Sequence, residues 1–270
     1  MPLIVQSFTR AEDAVAALDK AVGARYLGGG TLLMRQANEG YAALTTLVRS
    51  TEPGLAAVDI KGSAVRIGAG VTMAEVASHP GLAFLAGAAR SVGGPAIRNM
   101  ATVGGNLHTR APYGDFAVAL LALDAVLEVR TASGRTEVPL EVYTGEPGAI
   151  VTGVRFVQPS PGSFGYLKVS RVKPKGLAVL TLAAVVETKG GVVATAALSL
   201  GCMAPAPMRA RAAEAALIGR PLDAASIKTA CDAASHGISP PTDAVASSWY
   251  RSAVLPVHLR RLLADLSQGA

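Results

Sequence analysis

Two glycine-rich segments, Leu27-Gly28-Gly29-Gly30-Thr31-Leu32-Leu33-Met34 and Ala101-Thr102-Val103-Gly104-Gly105-Asn106, constrain this chain more than any other feature of its sequence. The first lies between a predicted strand, Ala24 to Leu27, and a short helix beginning near Leu32. The second precedes Pro112-Tyr-Gly-Asp115 and an apolar run with helical spacing, Phe116, Leu120, Leu121 and Leu123. Glycine has no Cβ, so such loops let main-chain N–H groups approach a large anionic group closely. A dinucleotide pyrophosphate has that size and charge. Taken singly, each loop reads as well as a tight turn or a bulge, and Asp115 as a residue complementing a helix N-terminus. Taken together, two backbone-exposing loops and a carboxylate placed to accept bonds from sugar hydroxyls point to a bound cofactor.

The surrounding pattern is α+β. Residues 3–6 read as a strand, Thr9-x-x-Glu12 as a capping box, and Ala14, Val15, Leu18 and Val22 as the apolar face of the helix it starts. With a strand over Thr45 to Arg49, the first fifty residues form a small β-α-β unit, and Thr51-Glu-Pro-Gly54 reads as a linker. A second unit runs from Leu55 to about Val157. It has paired strands at Val58–Ile60 and Val65–Ala69, and a capping box at Thr72-x-x-Glu75. A small-residue helix over Leu82 to Arg90 follows, then a helix near Phe116–Leu123, a hairpin turned at Ser133-Gly134 and a closing strand from Ala149. The remainder holds a strand at Phe164–Val169, a long hairpin turned at Lys189-Gly-Gly191, and three helical stretches, the last kinked at Pro256. Val65-Arg-Ile-Gly-Ala-Gly-Val-Thr-Met73 imitates a Rossmann turn, but Met73 stands at the third glycine position, so an ordinary strand and capped helix is the better reading.

Composition excludes several function classes. Half the residues are apolar and 16% are charged, which describes a well-buried globular protein. The formal charge of +6 is dispersed and no nucleic-acid-binding signature accompanies it, so no nucleic-acid partner is expected. No apolar run is long enough to span a bilayer and the start lacks the pattern of a signal peptide, so a cytoplasmic location is expected. Cys202 and Cys231 are too few for an iron–sulfur cluster or a structural zinc, and no metal site is visible. No hydrolase elbow, zinc-protease or phosphate-loop lysine motif occurs, and His108 is the only histidine near the loops. Any chemistry would therefore be carried by a cofactor.

With these residues in view, the chain resembles the FAD-binding medium subunits of molybdenum hydroxylases, the xanthine dehydrogenase and carbon monoxide dehydrogenase medium-subunit family. The markers are Gly30-Thr-Leu-Leu33, Ile97-Arg98 ahead of Thr102-Val-Gly-Gly-Asn106, Asp115, Leu121-Ala-Leu-Asp-Ala125, and Tyr166-Leu-Lys168 with Arg171. Further on come Pro241-Thr-Asp243, Ala246-Ser-Ser248 and Tyr250-Arg251. The resemblance implies a p-cresol methylhydroxylase-type FAD-binding domain over 1–165, in subdomains 1–52 and 55–165, and a small α+β C-terminal domain over 166–270. It implies that Leu27 to Met34 wrap the FAD pyrophosphate. It also implies that Ala101 to Asn106 press on the pyrophosphate and ribityl region, and that Asp115 bonds sugar or ribityl hydroxyls. Val92 and Ile150 or Val151 would line the flavin and adenosine walls, and Lys168 would approach the flavin.

The implied partners are a molybdopterin-binding large subunit and a [2Fe–2S] small subunit, with NAD⁺, oxygen or a quinone as external acceptor. The chain departs from the family pattern at Gly28, at Arg110 and across Val172-Lys-Pro-Lys-Gly176, where Lys173 and Lys175 would make the flavin entrance positive. Two rival readings are a stand-alone FAD-dependent oxidoreductase on the same fold and a non-catalytic module that has lost its flavin.

Overall fold

The computed structural model describes residues 3–109, 111–145, 148–172 and 176–268. Arg110, Lys173 and Lys175 lie outside the described residues. The first fifty residues form β1 (Ile4–Phe8), α1 (Ala11–Lys20), β2 (Ala24–Tyr26), α2 (Leu33–Asn38) and β3 (Thr46–Ser50). The strands are parallel in the order β1-β3-β2. Helix α1 buries Ala14 and Val15 against Val48 and against Ile150 of the following unit.

Two local expectations fail here. Arg10, not Thr9, is the N-cap of α1 and makes no side-chain cap bond. The Ala11 amide donates instead to Glu52 Oε2 at 2.8 Å, while the Glu12 carboxylate turns to Arg130 at 2.9 Å. The cap is thus supplied from the linker, at a distance that no local motif encodes. Val22 lies beyond the end of α1 and is 95% exposed, so it is not part of the apolar face.

The second unit contains β4 (Val58–Lys61), β5 (Ala64–Gly68), α3 (Met73–Ser78), α4 (Ala86–Arg90), α5 (Pro95–Arg98), α6 (Val103–Leu107), α7 (Asp115–Ala122), β6 (Val126–Thr131), β7 (Gly134–Pro139) and β8 (Ile150–Val157). Its antiparallel sheet has the order β4-β5-β8-β6-β7. The capping box of α3 forms as expected: Thr72 Oγ1 accepts from the Glu75 amide at 3.2 Å and Glu75 Oε2 from the Thr72 amide at 2.7 Å. The helix expected from Leu82 splits, because Leu82 is non-helical and Pro80–Leu85 forms a 3-10 segment ahead of α4. One core unites Ile67, Met73, Leu82, Leu85, Phe116, Leu120 and Leu127. At about 1.5–3 kcal/mol for each large side chain removed from water, this burial is the main force holding the unit together.

The third unit has β9 (Phe164–Ser170), β10 (Ala178–Lys189), β11 (Val192–Gly201), β12 (Met208–Arg209), α8 (Arg211–Leu217), α9 (Ala224–Ala233) and α10 (Ser248–Gln268). The sheet is antiparallel, in the order β12-β11-β10-β9. Its outer face is covered by Leu217, Ile227, Leu255, Leu259 and Leu263 from the three helices. Helix α10 is one helix through Pro256. Arg251, wholly buried, ties it down: Nη2 meets both Asp243 oxygens at 2.8 Å, and Nη1 donates to the Ala178 and Val179 carbonyls.

The inner face of this sheet packs on α7, whose eight residues are all buried. Val118, Ala122 and Ala183 form the seam, Ser199 Oγ donates to the Val118 carbonyl at 2.6 Å, and a Cβ on Gly201 would stand 2.7 Å from Val118. A second junction is ionic. Arg209, with a side chain 3% exposed, pairs with Asp124 and with Glu214, whose Oε1 also accepts from the Leu198 amide. Arg211 links Glu214 to Glu141. Among the described residues no helix is long and apolar enough to cross a membrane.

Candidate cofactor site

The two glycine loops meet. A Cβ on Gly29 would lie 1.7 Å from the Met100 carbonyl oxygen, and one on Gly28 would lie 2.9 Å from Thr102 Oγ1. Only glycine allows this approach, which brings residues 28–29 alongside 100–102. Gly30 has a φ of +70°, a conformation that a Cβ disfavours. It turns the chain so that its carbonyl accepts from the Met34 amide at 2.8 Å.

The loops have different jobs. In the second, the amides are already used. Val103 and Gly104 donate to the Val71 and Ala69 carbonyls at 2.9 and 2.8 Å, Gly105 to Thr102 Oγ1 at 3.1 Å, and Asn106 to the Thr102 carbonyl at 3.1 Å. A Cβ on Gly104 would stand 2.9 Å from the Ala69 methyl. Ala101 and Thr102 are joined to the segment before α3 through the Met73 amide and the Thr72–Thr102 bridge. The segment Ala101 to Asn106 is therefore a rigid, buried platform.

In the first loop, most amides are open. Leu27 donates to the Val48 carbonyl at 2.7 Å, but the amides of Gly28, Gly29, Gly30, Thr31, Leu32 and Leu33 find no acceptor among the described residues. Six consecutive unpaired N–H groups on a loop backed by a rigid wall suit an acceptor-rich anion, and the FAD pyrophosphate is one. Gly28 is exposed and residues 29–33 are half-buried. Met34, Ile97 and Met100 leave apolar surface beside them.

Asp115 begins α7 beside Gly114, whose φ of +84° sets it against Thr109 and the Asn106 carbonyl. Its carboxylate is buried and engaged twice. Lys168 Nζ donates to Oδ2 at 2.7 Å and Thr181 Oγ1 to Oδ1 at 2.9 Å. Burial pushes the carboxyl pKa above its usual value, while Lys168 and Thr181 pull the other way. Lys168 Nζ also donates to the Ser91 carbonyl at 3.0 Å. Ser91 Oγ donates to the Ala88 carbonyl, so at the 2.7 Å contact with Tyr166 the phenol is the donor.

Val92 follows Ser91 and is half-buried. Val151 is 3% exposed and belongs to the core behind the sheet, while Ile150 lies under α1. The structure thus brings together Leu27 to Met34 with Ala101 to Asn106, and separately Asp115 with Lys168 and the residue before Val92. His108 is exposed, its ring edge-on to Tyr143 at 5.7 Å. Met100, Ser91 and Thr181 escaped the sequence reading. Tyr166 and Lys168 carried a signal, since residues two apart on a strand share a face.

Comparison with known proteins gives the family of the chain. Residues 5–156 match the FAD binding domain in molybdopterin dehydrogenase, and residues 165–266 match the CO dehydrogenase flavoprotein C-terminal domain. The chain belongs to this flavoprotein family. The carbon monoxide dehydrogenase medium chain of Afipia carboxidovorans is 30% identical over 263 residues, covering 92% of this chain and 91% of that one. The glyceraldehyde dehydrogenase medium chain of Sulfolobus acidocaldarius is 31% identical over 177 residues, or 63% of either chain. A carbon monoxide dehydrogenase structure from Hydrogenophaga pseudoflava superposes with a TM-score of 0.93 at 26% identity, covering 100% of this chain and 99% of that chain. FAD is the cofactor of this family, and the chain is a medium, FAD-binding component of an oxidoreductase. The α+β fold read from the sequence, and the family it resembles, are both found.

Proposed function

We propose that this chain takes electrons from [2Fe–2S] clusters on a small partner subunit and passes them through FAD to an external acceptor such as NAD⁺, oxygen or a quinone. Substrate oxidation would occur on a molybdopterin-binding large subunit, and the assembly would work in the cytoplasm. The observation that carries the reading is the clasp itself: the amides of residues 28–33, without an acceptor among the described residues, on a loop whose Gly28 and Gly29 lie against Met100–Thr102. Support for the partners comes from relatives whose names describe them as medium chains.

Bound FAD supplies a two-electron store that can be filled and emptied one electron at a time. The chain's own residues bind and orient it. The first-loop amides would hold the pyrophosphate without any ordering cost for a side chain. The Ala101 to Asn106 platform would fix the depth at which the cofactor sits, and Val92 would close a wall. No acid–base residue is required of this chain, because its task is placement within electron-transfer reach of a partner.

The test is purification of the chain alone and with its two partner subunits. Absorption spectroscopy and identification of the released chromophore follow. The expected result is FAD at about one per chain, and its reduction when substrate is added to the assembled complex. A chain that takes up no FAD, alone or assembled, refutes the reading. A flavin that stays oxidised while the complex turns over substrate refutes the electron route.

A further inference from the structure

Helix α10 has no charged outer face over its first three turns. Between Ser248 and Leu259 the chain carries one arginine and no lysine or carboxylate. That arginine, Arg251, is wholly buried against Asp243 and the start of β10. Leu255, Leu259 and Leu263 join the core of the third unit. The positions left to solvent are Trp249, Tyr250, Ala253 and Val257, with Trp249 76% exposed. Residues 249, 253 and 257 are spaced by four and form one ridge. A surface helix turns charged residues outward, and a helix that is apolar all round belongs inside something larger.

The ridge runs into Arg260 and Arg261, which are exposed and have no ion pair among the described residues. Tryptophan, tyrosine and arginine are the residues that dominate the energy of protein interfaces. Charge argues against a second copy as the occupant, because it would bring the same two arginines and another net charge of +6. Area argues the same way. At about 150–250 Å² for a whole aromatic side chain, Trp249 and Tyr250 at their exposures offer roughly 250 Å². A stable interface needs about 800 Å² a side, and two convex ridges touch only along a line. A larger partner with a concave groove can surround the helix. Position then separates the two partner subunits. The β9–β12 sheet lies between the α10 layer and α7, and the glycine clasp belongs to the α7 side. A subunit that delivers electrons must sit by the clasp, whereas one that anchors the chain can sit on this outer face.

We infer that the Trp249–Val257 ridge of α10 is the anchoring surface for the molybdopterin-binding large subunit, received in an apolar groove whose end places carboxylates opposite Arg260 and Arg261. This rests on the partners proposed above and assigns one of them to one surface. Loss of a central aromatic at such a contact weakens it far more than its share of the area, because the groove it fills is left open to water.

The experiment is hydroxyl-radical footprinting of the native chain, free and in the purified three-subunit complex, with oxidation read residue by residue by mass spectrometry. Trp249 and Tyr250 are expected to oxidise readily in the free chain and to be protected in the complex. A photo-crosslinking residue at Ala253 should join the chain to the large subunit. Trp249→Lys is expected to weaken assembly by at least about thirtyfold with a native melting temperature, and Trp249→Phe to retain most of the affinity. Val257→Lys should act in the same direction as Trp249→Lys. A crosslink to the small subunit or to a second copy overturns the inference, and so does assembly indifferent to both lysine variants. A native chain that joins neither partner overturns the functional reading as well. One that assembles with Trp249 still open to oxidation overturns this inference alone.

Discussion

Gly29→Ala tests the clasp directly. Gly29 does not have a positive φ, so the left-handed conformation that disfavours a Cβ is not the obstacle. The obstacle is contact. The new methyl would lie 1.7 Å from the Met100 oxygen, 2.6 Å from its carbonyl carbon and 3.0 Å from Ala101 Cα. Ordinary contact begins near 3.4 Å, and backbone on both sides leaves no flexible tip to swing away. The two segments must therefore part by roughly 1.5 Å, which costs about 1–3 kcal/mol of strain. A hydrogen bond near 2.9 Å does not survive such a shift. Losing two amide–phosphate bonds at about 1.5–3 kcal/mol each weakens FAD by at least about a hundredfold. Fluorescence titration with FAD, and the flavin-to-protein absorbance ratio after gel filtration, read the effect. Gly87→Ala is the control, since Gly87 lies in α4 with nothing within 4 Å of the added methyl. It should keep its flavin and gain about 0.4–1 kcal/mol of stability. A Gly29→Ala chain that binds FAD within about threefold of the native one would refute the clasp.

Other expectations follow from the buried ions. Arg251→Met should cost about 3–5 kcal/mol in urea unfolding, because it removes the cation paired with Asp243 and the side-chain donor to the Ala178 and Val179 carbonyls. Lysine should not rescue it, since Arg251 serves Asp243 with one nitrogen and the Ala178 and Val179 carbonyls with another, and an ammonium has only one. Glu214→Ala should cost a similar amount, about 3–5 kcal/mol, by leaving the buried Arg209 Nε and the Leu198 amide without their acceptor, and a melting curve as stable as that of the native chain would contradict the ionic junction. Burial alone would raise the Asp243 carboxyl, but the Ala246 and Val245 amides and Arg251 outweigh it and hold it below its ordinary 3.8. A carboxyl with a depressed folded pKa stabilises the protein above its unfolded value, and that stability is lost as pH falls through the folded one. Urea midpoints measured downward from pH 5 should accordingly decline less steeply in Asp243→Asn than in the native chain.

What the sequence disclosed was local. Strand alternation, glycine punctuation and the Thr72 capping box each draw on residues a few positions apart, and all appear in the fold. Thr9-x-x-Glu12 has the same letters and failed, because Glu52 from the linker satisfies the Ala11 amide and Arg130 draws Glu12 away. The partners of Asp115 are 53 and 66 residues distant, so no spacing rule could pair it with Lys168 or Thr181. The glycines at 28 and 29 were legible as a loop, but what they make room for, the Met100 carbonyl, became visible only once the chain was folded.

Helix α7 belongs to two cores at once. One side of it completes the cluster around Phe116 and Leu120, and the other, through Val118 and Ala122, completes the seam with β10 and β11. A helix shared in this way has no solvent face on which change is tolerated, so each of its side chains must satisfy both neighbours together. That explains its composition: small and aliphatic throughout, with one ring and a single charge, Asp115, paired across the seam. It also makes the chain indivisible. Neither half can be exchanged between relatives without carrying along the wall it shares with the other.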